Sequence, residues 1–232
     1  MKISNTYEAI IHNRYKRFMA DIELPNGEMV VAHVPNTGSM KNCWEAGWKA
    51  VVSHVDDPKR KLKYTLQLTH NGKSWIGVNT SITNKIVQEA LELGVISELQ
   101  DYKNIKAEQK ILDSRIDFFL SDHPTKPDAY VEVKNVTLVE DEVASFPDAV
   151  STRGQKHLKD LIKIKEMGMR AVMLYVLNRT DAESFKPAAE IDPKYAELLK
   201  AAYNAGVEIL VYQCEISPTN IKLKKPIPYE LN

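Results

Sequence analysis

Asp117, Glu132 and Lys134 are the side chains whose types and spacing best suggest chemistry. They lie in two alternating runs, Ser114-Arg115-Ile116-Asp117-Phe118-Phe119-Leu120 and Tyr130-Val131-Glu132-Val133-Lys134. Side chains two apart in a strand share a face. Arg115 and Asp117 should therefore point one way, and Ile116, Phe118 and Leu120 the other. By the same rule Glu132 and Lys134 should share a face opposite Val131 and Val133. Residues 121–128 contain Pro124 and Pro127 and read as a hairpin loop. Pairing of the two strands would set Asp117 beside Glu132 and Lys134. Adjacent carboxylates repel unless a positive charge lies between them. Mg2+ or Mn2+ suits this place, taking carboxylate oxygens while leaving positions for water and a phosphate. A lysine two residues along can steady the nucleophile or the phosphate, or act as a base. The chemistry so suggested is hydrolysis of a phosphodiester. The bland alternative is a cross-strand salt bridge on a half-exposed hairpin. Glu108, flanked by Lys106 and Lys110 on the preceding run, is a third candidate metal ligand and equally a surface charge.

Basic residues gather near this pattern. Arg153, Gln155, Lys156 and His157 crowd the start of an expected helix, where free N–H groups and positive charge suit a phosphate. An ordinary solvated helix face would look the same, and His157 by itself reads as a surface or capping histidine. In the N-terminal part, Arg14-Tyr15-Lys16-Arg17-Phe18 and Lys59-Arg60-Lys61-Leu62-Lys63-Tyr64 interleave basic and aromatic residues. Such a mixture suits a groove that tracks a nucleic-acid backbone and stacks bases, or a charged strand edge that discourages aggregation. Arg14, Lys16, Arg17 and Arg115 are the further candidate contacts to nucleic acid. Asn36-Thr37-Gly38-Ser39-Met40 is a turn rich in backbone donors, but it lacks the spacing of a phosphate loop.

The elements that must carry these residues fall into two groups. Tyr7–His12, Tyr15–Leu24, Met29–Val34, Lys49–Val55, Leu62–Thr69 and Trp75–Val78 are short runs rich in β-branched and aromatic residues. Turn signals such as Pro25-Asn26-Gly27 and Asn71-Gly72 separate them. About five strands at this spacing suggest a small barrel, with the OB-fold one candidate. From Thr83 the pattern changes. A helix is expected over Ile86–Leu93, closed by Gly94, followed by strands over Tyr102–Ile111, Ser114–Leu120 and Ala129–Leu138. Then come a helix over Ser151–Met167, a strand over Arg170–Leu177, a helix over Pro193–Ala205 and a strand over Val207–Gln213. That order describes an α/β domain with a mixed sheet. The expected division is residues 1–82 and 83–232.

The composition, 44% hydrophobic and 27% charged in 232 residues, is that of a folded globular chain. The formal net charge is zero, but residues 1–80 hold 11 Lys and Arg against 7 Asp and Glu. This excess favours a polyanionic partner only weakly. No apolar run reaches the roughly 20 residues a membrane helix needs, and no secretory h-region follows the start. Cys43 and Cys214 lie far apart, in no metal-ligand spacing, and are expected to be reduced thiols. The cytoplasm is the expected compartment.

Longer signatures point to a family. Arg14-Tyr15-Lys16-Arg17-Phe18, Pro35-Asn36-Thr37-Gly38-Ser39-Met40, Gly77-Val78-Asn79-Thr80 and Ser114-Arg115-Ile116-Asp117-Phe118 stand in order. Glu132-Val133-Lys134, Phe146-Pro147-Asp148-Ala149, Arg153-Gly154-Gln155-Lys156-His157-Leu158 and Gly206-Val207-Glu208 continue the series. Over essentially its whole length the chain resembles the sugar fermentation stimulation protein A family of bacteria and archaea. The resemblance implies an N-terminal OB-like β-barrel and a C-terminal, restriction-endonuclease-like α/β domain of the PD-(D/E)xK nuclease type. It implies that Asp117 matches the first acidic position, and Glu132 and Lys134 the (D/E)xK strand; Ile116 stands where the motif's proline would be. It further implies sequence-tolerant DNA binding and a role in regulating sugar-utilisation genes. Two functions are thus expected: a nuclease dependent on Mg2+ or Mn2+, or a non-catalytic DNA-binding regulator.

Overall fold

The computed structural model describes residues 1–36 and 38–231. Thr37, in the expected 36–40 turn, and Asn232 lie outside the described residues. The N-terminal strands are β1 (Thr6–Tyr15), β2 (Met19–Glu23), β3 (Met29–His33), β4 (Trp48–His54), β5 (Tyr64–His70) and β6 (Trp75–Gly77). They form one six-stranded sheet in the order β3-β2-β1-β4-β5-β6, and a short parallel pairing of β3 with β5 curls it into an OB-like barrel. Alternate side chains, among them Ile11, Ile22, Leu66 and Ile76, fill its interior. Tyr15–Leu24 is not the single strand expected from its composition. β1 runs on to Tyr15, and a tight turn follows in which Lys16 and Arg17 take left-handed φ values of 49° and 65°. The turn folds β2 back along β1, so these two basic residues occupy a hairpin tip.

The second unit begins with α1 (Thr83–Glu92) and continues through β7 (Asn104–Ile111), β8 (Ser114–Ser121), β9 (Ala129–Val136), β10 (Leu138–Glu140) and β11 (Val143–Phe146). It goes on with α2 (Thr152–Glu166), β12 (Arg170–Leu177), β13 (Ser184–Pro187), α3 (Pro193–Asn204), β14 (Glu208–Ser217) and β15 (Asn220–Pro226). The main sheet has the order β15-β14-β12-β9-β8-β7 and is mixed: β9, β12 and β14 run parallel, while the outer strands are antiparallel. β12 is buried along its whole length, as a central parallel strand covered on both faces must be. β10, β11 and β13 make a small second sheet that the sequence pattern does not reveal, and β15 is hidden in the same way. These strands are short or alternate charge with apolar residues, so composition reads them as loop.

Helix ends follow from local chemistry. Ser151 caps α2, its Oγ accepting from the Gly154 N–H at 3.0 Å, and Lys163 and Lys165 sit in the last turn, where the helix dipole favours cations. Asp192 caps α3 by accepting from the Tyr195 N–H at 3.0 Å, with Pro193 preset in the first turn. α2 and α3 cover one face of the main sheet through Leu158, Leu161, Ile164 and Leu199. The opposite face packs on α1 and, through Val51 and Leu68, on the barrel itself. Buried Arg179 ties the two units together, donating to the carbonyls of Thr137 at 2.8 Å and Asn42 at 3.1 Å while paired with Asp181.

Candidate functional site

Asp117 sits where the β8 ladder is interrupted. Ala107 pairs with Phe118 and Gln109 with Ile116, but the intervening pair does not form, because Glu108 on β7 adopts a left-handed φ of 57°. On the other side β8 pairs with β9 only through Phe118, Phe119 and Leu120. The Asp117 carboxylate takes over at the break: Oδ2 accepts from the Val133 N–H and Oδ1 from Asn84 Nδ2, each at 2.8 Å. The strand turns over here, so Ile116 packs on the α2 side while Phe118 and Leu120 pack on the α1 side. Strict alternation would put all three on one face. The register is the same on both sides of the gap, and the left-handed Glu108 lies opposite Asp117 within it.

Glu132, on β9, is buried under α2 with its side chain 3% exposed. Its Oε1 accepts from Lys134 Nζ at 2.6 Å and from His157 Nδ1. A carboxylate can only accept, so His157 Nδ1 carries the proton and Nε2 is free to accept, as it does from Arg153 Nε at 3.4 Å. Glu132 Oε2 is buried and has no partner among the described residues. Burial, and then the charge of Glu132, push the Asp117 carboxyl above its ordinary value, although Val133 and Asn84 oppose this. Burial would also raise Glu132, but the His157 hydrogen bond and the Lys134 charge outweigh it and hold that carboxyl below the usual range. Asp117 and Glu132 thus differ in proton affinity for identifiable reasons.

The other candidate residues divide sharply. Glu108 does not join the acids: it is exposed and paired with Arg115 Nε at 3.0 Å. Among the described residues no group of three His, Cys, Asp or Glu side chains is placed to hold a metal. Arg14 is occupied too, its guanidinium donating to the carbonyls of Arg17, Asn36, Gly38 and Ser39. The α2 start is less open than its charge suggests, since Gln155 donates to Asp192 and Lys156 reaches the Asp113 carbonyl and Asp160. His157 is not on the surface, because its spacing of one turn from Leu161 and two from Ile164 turns it inward onto Glu132. Arg153, Lys16 and Arg17 remain exposed. Asn84 escapes a reading of the sequence, since an amide in a first helical turn carries no spacing signal. Gly154 stands within one of the family signatures; a Cβ there would meet Ser151 Oγ at 2.8 Å and the Tyr195 ring at 3.0 Å. Its bareness lets α2 close on α3 one turn before His157.

Comparison with known proteins agrees with this architecture. Residues 81–220 match the family model described as the sugar fermentation stimulation protein RE domain, and residues 13–78 match the SfsA N-terminal OB domain. The chain belongs to the sugar fermentation stimulation protein family. A homolog of that name from Pseudoalteromonas atlantica is 49% identical over 225 residues, covering 95% of each chain. One from Geotalea uraniireducens is 48% identical over 218 residues, covering 94% of each. A structure of Pyrococcus furiosus SfsA in complex with Ca2+ is similar along 99% of this chain and 98% of its own, with a TM-score of 0.88 at 29% identity. No helix among the described residues is long and apolar enough to cross a membrane.

Proposed function

We propose that this family member binds nucleic acid, with DNA the expected substrate, and hydrolyses its phosphodiester bonds with the help of a divalent cation held by Asp117 and Glu132. The observation that carries the reading is the unpartnered, buried Oε2 of Glu132 beside a second carboxylate whose ionisation is opposed by burial and by Glu132 itself. Buried carboxylate oxygens are almost always satisfied, and two hard oxygen donors at one place suit Mg2+ or Mn2+. The Ca2+ bound by the Pyrococcus relative is consistent with a hard, oxygen-loving cation. Such a cation supplies a lowered pKa for bound water and a charge to meet the phosphate.

The protein's own groups have distinct tasks in this reading. Lys134 Nζ, held on Glu132 Oε1, steadies the attacking water or the phosphate oxygen it approaches. His157 fixes the orientation of Glu132 through Nδ1–H, the kind of support that keeps a ligand in place. Exposed Arg153, one turn before His157, meets a phosphate. Lys16 and Arg17, projecting at the hairpin tip, extend the contact along the backbone. The test is cleavage of labelled single-stranded, duplex and branched DNA and RNA with Mg2+ or Mn2+, comparing the wild type with Asp117→Ala. Metal-dependent cleavage lost in the variant is the expected result. Binding with no turnover of any substrate would sink the hydrolytic role and leave a DNA-binding regulator.

A further inference from the structure

Between the barrel and the second unit lies a cleft of about 200 Å3 whose walls include Asn36 and Thr80 on one side and Asn135, Ser145, Phe146 and Asp148 on the other. We propose that this cleft receives one unpaired nucleobase of the strand held at Asp117 and Glu132, so that the substrate is single-stranded or locally opened. The assignment rests on the nucleic-acid reading above and names its substrate class.

The lining argues for a base rather than a phosphate. No Lys or Arg lines the cleft among the described residues, and its single charge is the Asp148 carboxylate. What it offers is a mixture of donors and acceptors beside an aromatic ring, the combination that reads a base edge and stacks its face. Asn135 Oδ1 accepts from Thr83 Oγ1 at 3.0 Å and from Asn178, but its Nδ2 donates to none of the described residues. Asn36 Oδ1 accepts from the Gly38 N–H at 2.9 Å, which leaves its Nδ2 likewise unengaged among them. Asp148 Oδ2 accepts twice from Ser39, from the N–H and from Oγ, each at 3.0 Å, while Oδ1 has no donor there. The Phe146 ring is braced by Tyr175 and Tyr195, with centroids at 5.8 and 5.2 Å.

The volume and the location agree with this assignment. Pockets for drug-sized ligands run to roughly 300–1,000 Å3, so this one suits a single ring system and excludes a stacked pair. One helical turn connects it to the acidic site: Thr83 holds Asn135 in the cleft wall, and the next residue, Asn84, holds Asp117. Asn135 also follows Lys134 directly on β9. On this assignment a strand with its phosphate at the acids places a neighbouring base in the cleft. Arg14 braces the barrel-side wall through the Asn36 and Gly38 carbonyls, so the cleft is preformed.

The test is an abasic scan. A short DNA single strand carries one tetrahydrofuran position, moved along the sequence, and its binding is measured in Ca2+ for the wild type, Phe146→Leu and Ser145→Leu. Phe146→Leu removes the stacking ring but keeps apolar bulk, and Ser145→Leu fills the cleft should the first variant fold poorly. We expect wild-type affinity to fall about tenfold at one position, and the profile to flatten in both variants. A flat wild-type profile with binding retained, or a dip that persists in both variants, overturns the cleft assignment alone. A positional dip with no cleavage of the same strands when Mg2+ or Mn2+ replaces Ca2+ overturns the hydrolytic reading and leaves the cleft standing. No binding to any nucleic acid overturns both.

Discussion

Val133 donates its backbone N–H to the side chain of Asp117, at 2.8 Å, at the point where the two strands stop pairing through their main chains. A carboxylate thus replaces a carbonyl in the ladder. This bond, with the Asn84 amide of α1, locks the acid in place and sets it against Glu132. The arrangement makes the acid costly to ionise in the absence of a cation, and that cost can be measured.

Asp117→Asn is expected to raise the melting temperature by a few degrees in metal-free buffer near neutral pH. The Asp117 carboxyl is raised in the folded state, by burial first and then by Glu132. Its ionisation therefore destabilises the native chain as pH rises from below the ordinary carboxylate value through the raised one. The gain should vanish at acid pH, where the wild-type carboxyl is protonated. The variant should also lose the stabilisation that Mg2+ or Mn2+ gives the wild type. Melting curves across pH, with and without the cation, check both parts.

His157→Ala should destabilise the protein by about 1–3 kcal/mol at neutral pH, because it leaves a buried carboxylate with one fewer donor. Glu132 is held below its ordinary value in the fold, so the stability this bond gives is present above the unfolded value and is lost as pH falls through the lower one. The gap between variant and wild type should accordingly narrow in acid. Urea titrations at two pH values measure it, and an equal gap at both would count against the hydrogen bond as the cause.

Gly154→Ala adds a Cβ that meets Ser151 Oγ at 2.8 Å and the Tyr195 ring at 3.0 Å. Overpacking of this kind costs about 1–3 kcal/mol, and here it also disturbs the α2 cap. We expect a loss of that size by chemical denaturation, together with a larger proportional loss of activity, since the shifted turn carries His157.

Arg179→Ala should cost about 3–5 kcal/mol, the usual penalty for stranding a buried partner. The guanidinium beside Asp181 holds that carboxyl at about 2 against burial, which would raise it. Its contribution is present above the ordinary value of 3.8 and fades as pH falls towards 2. Calorimetry should show one cooperative transition for the wild type and a lowered one for the variant.

Replacing Lys16 and Arg17 together by Gln should weaken nucleic-acid binding and reduce the slope of log affinity against log salt by about 0.7–0.9 for each phosphate no longer neutralised. An unchanged slope would remove the hairpin tip from the interface. Arg14→Gln should instead act through stability, since that side chain is spent on four carbonyls.

Much of this was legible in the chain because local chemistry agreed with the final fold. The helices over Ser151–Met167 and Pro193–Ala205 and the apolar strand over Arg170–Leu177 are expected from the sequence, and the prolines at 124 and 127 mark the loop between the acids. Glu132 and Lys134 share a face as the period predicts, and they meet through the Lys134 Nζ to Glu132 Oε1 contact. What stayed hidden depended on contacts distant in sequence. The inward turn of His157 needs Glu132, from 25 residues away, and the unexpected break at Asp117 needs a left-handed residue on another strand. The sheet of β10, β11 and β13 is assembled from pieces too short to show a period.

The sharing of one core by Val51 and Leu68 with the main sheet bears on how the gene can be cut. Severing the chain near Ile82 would not release two free-standing units. It would strip the sheet of part of its cover and leave the barrel with an apolar wall facing water, a surface that invites aggregation. Swapping halves between relatives should fail for the same reason, unless both sides of that wall travel together.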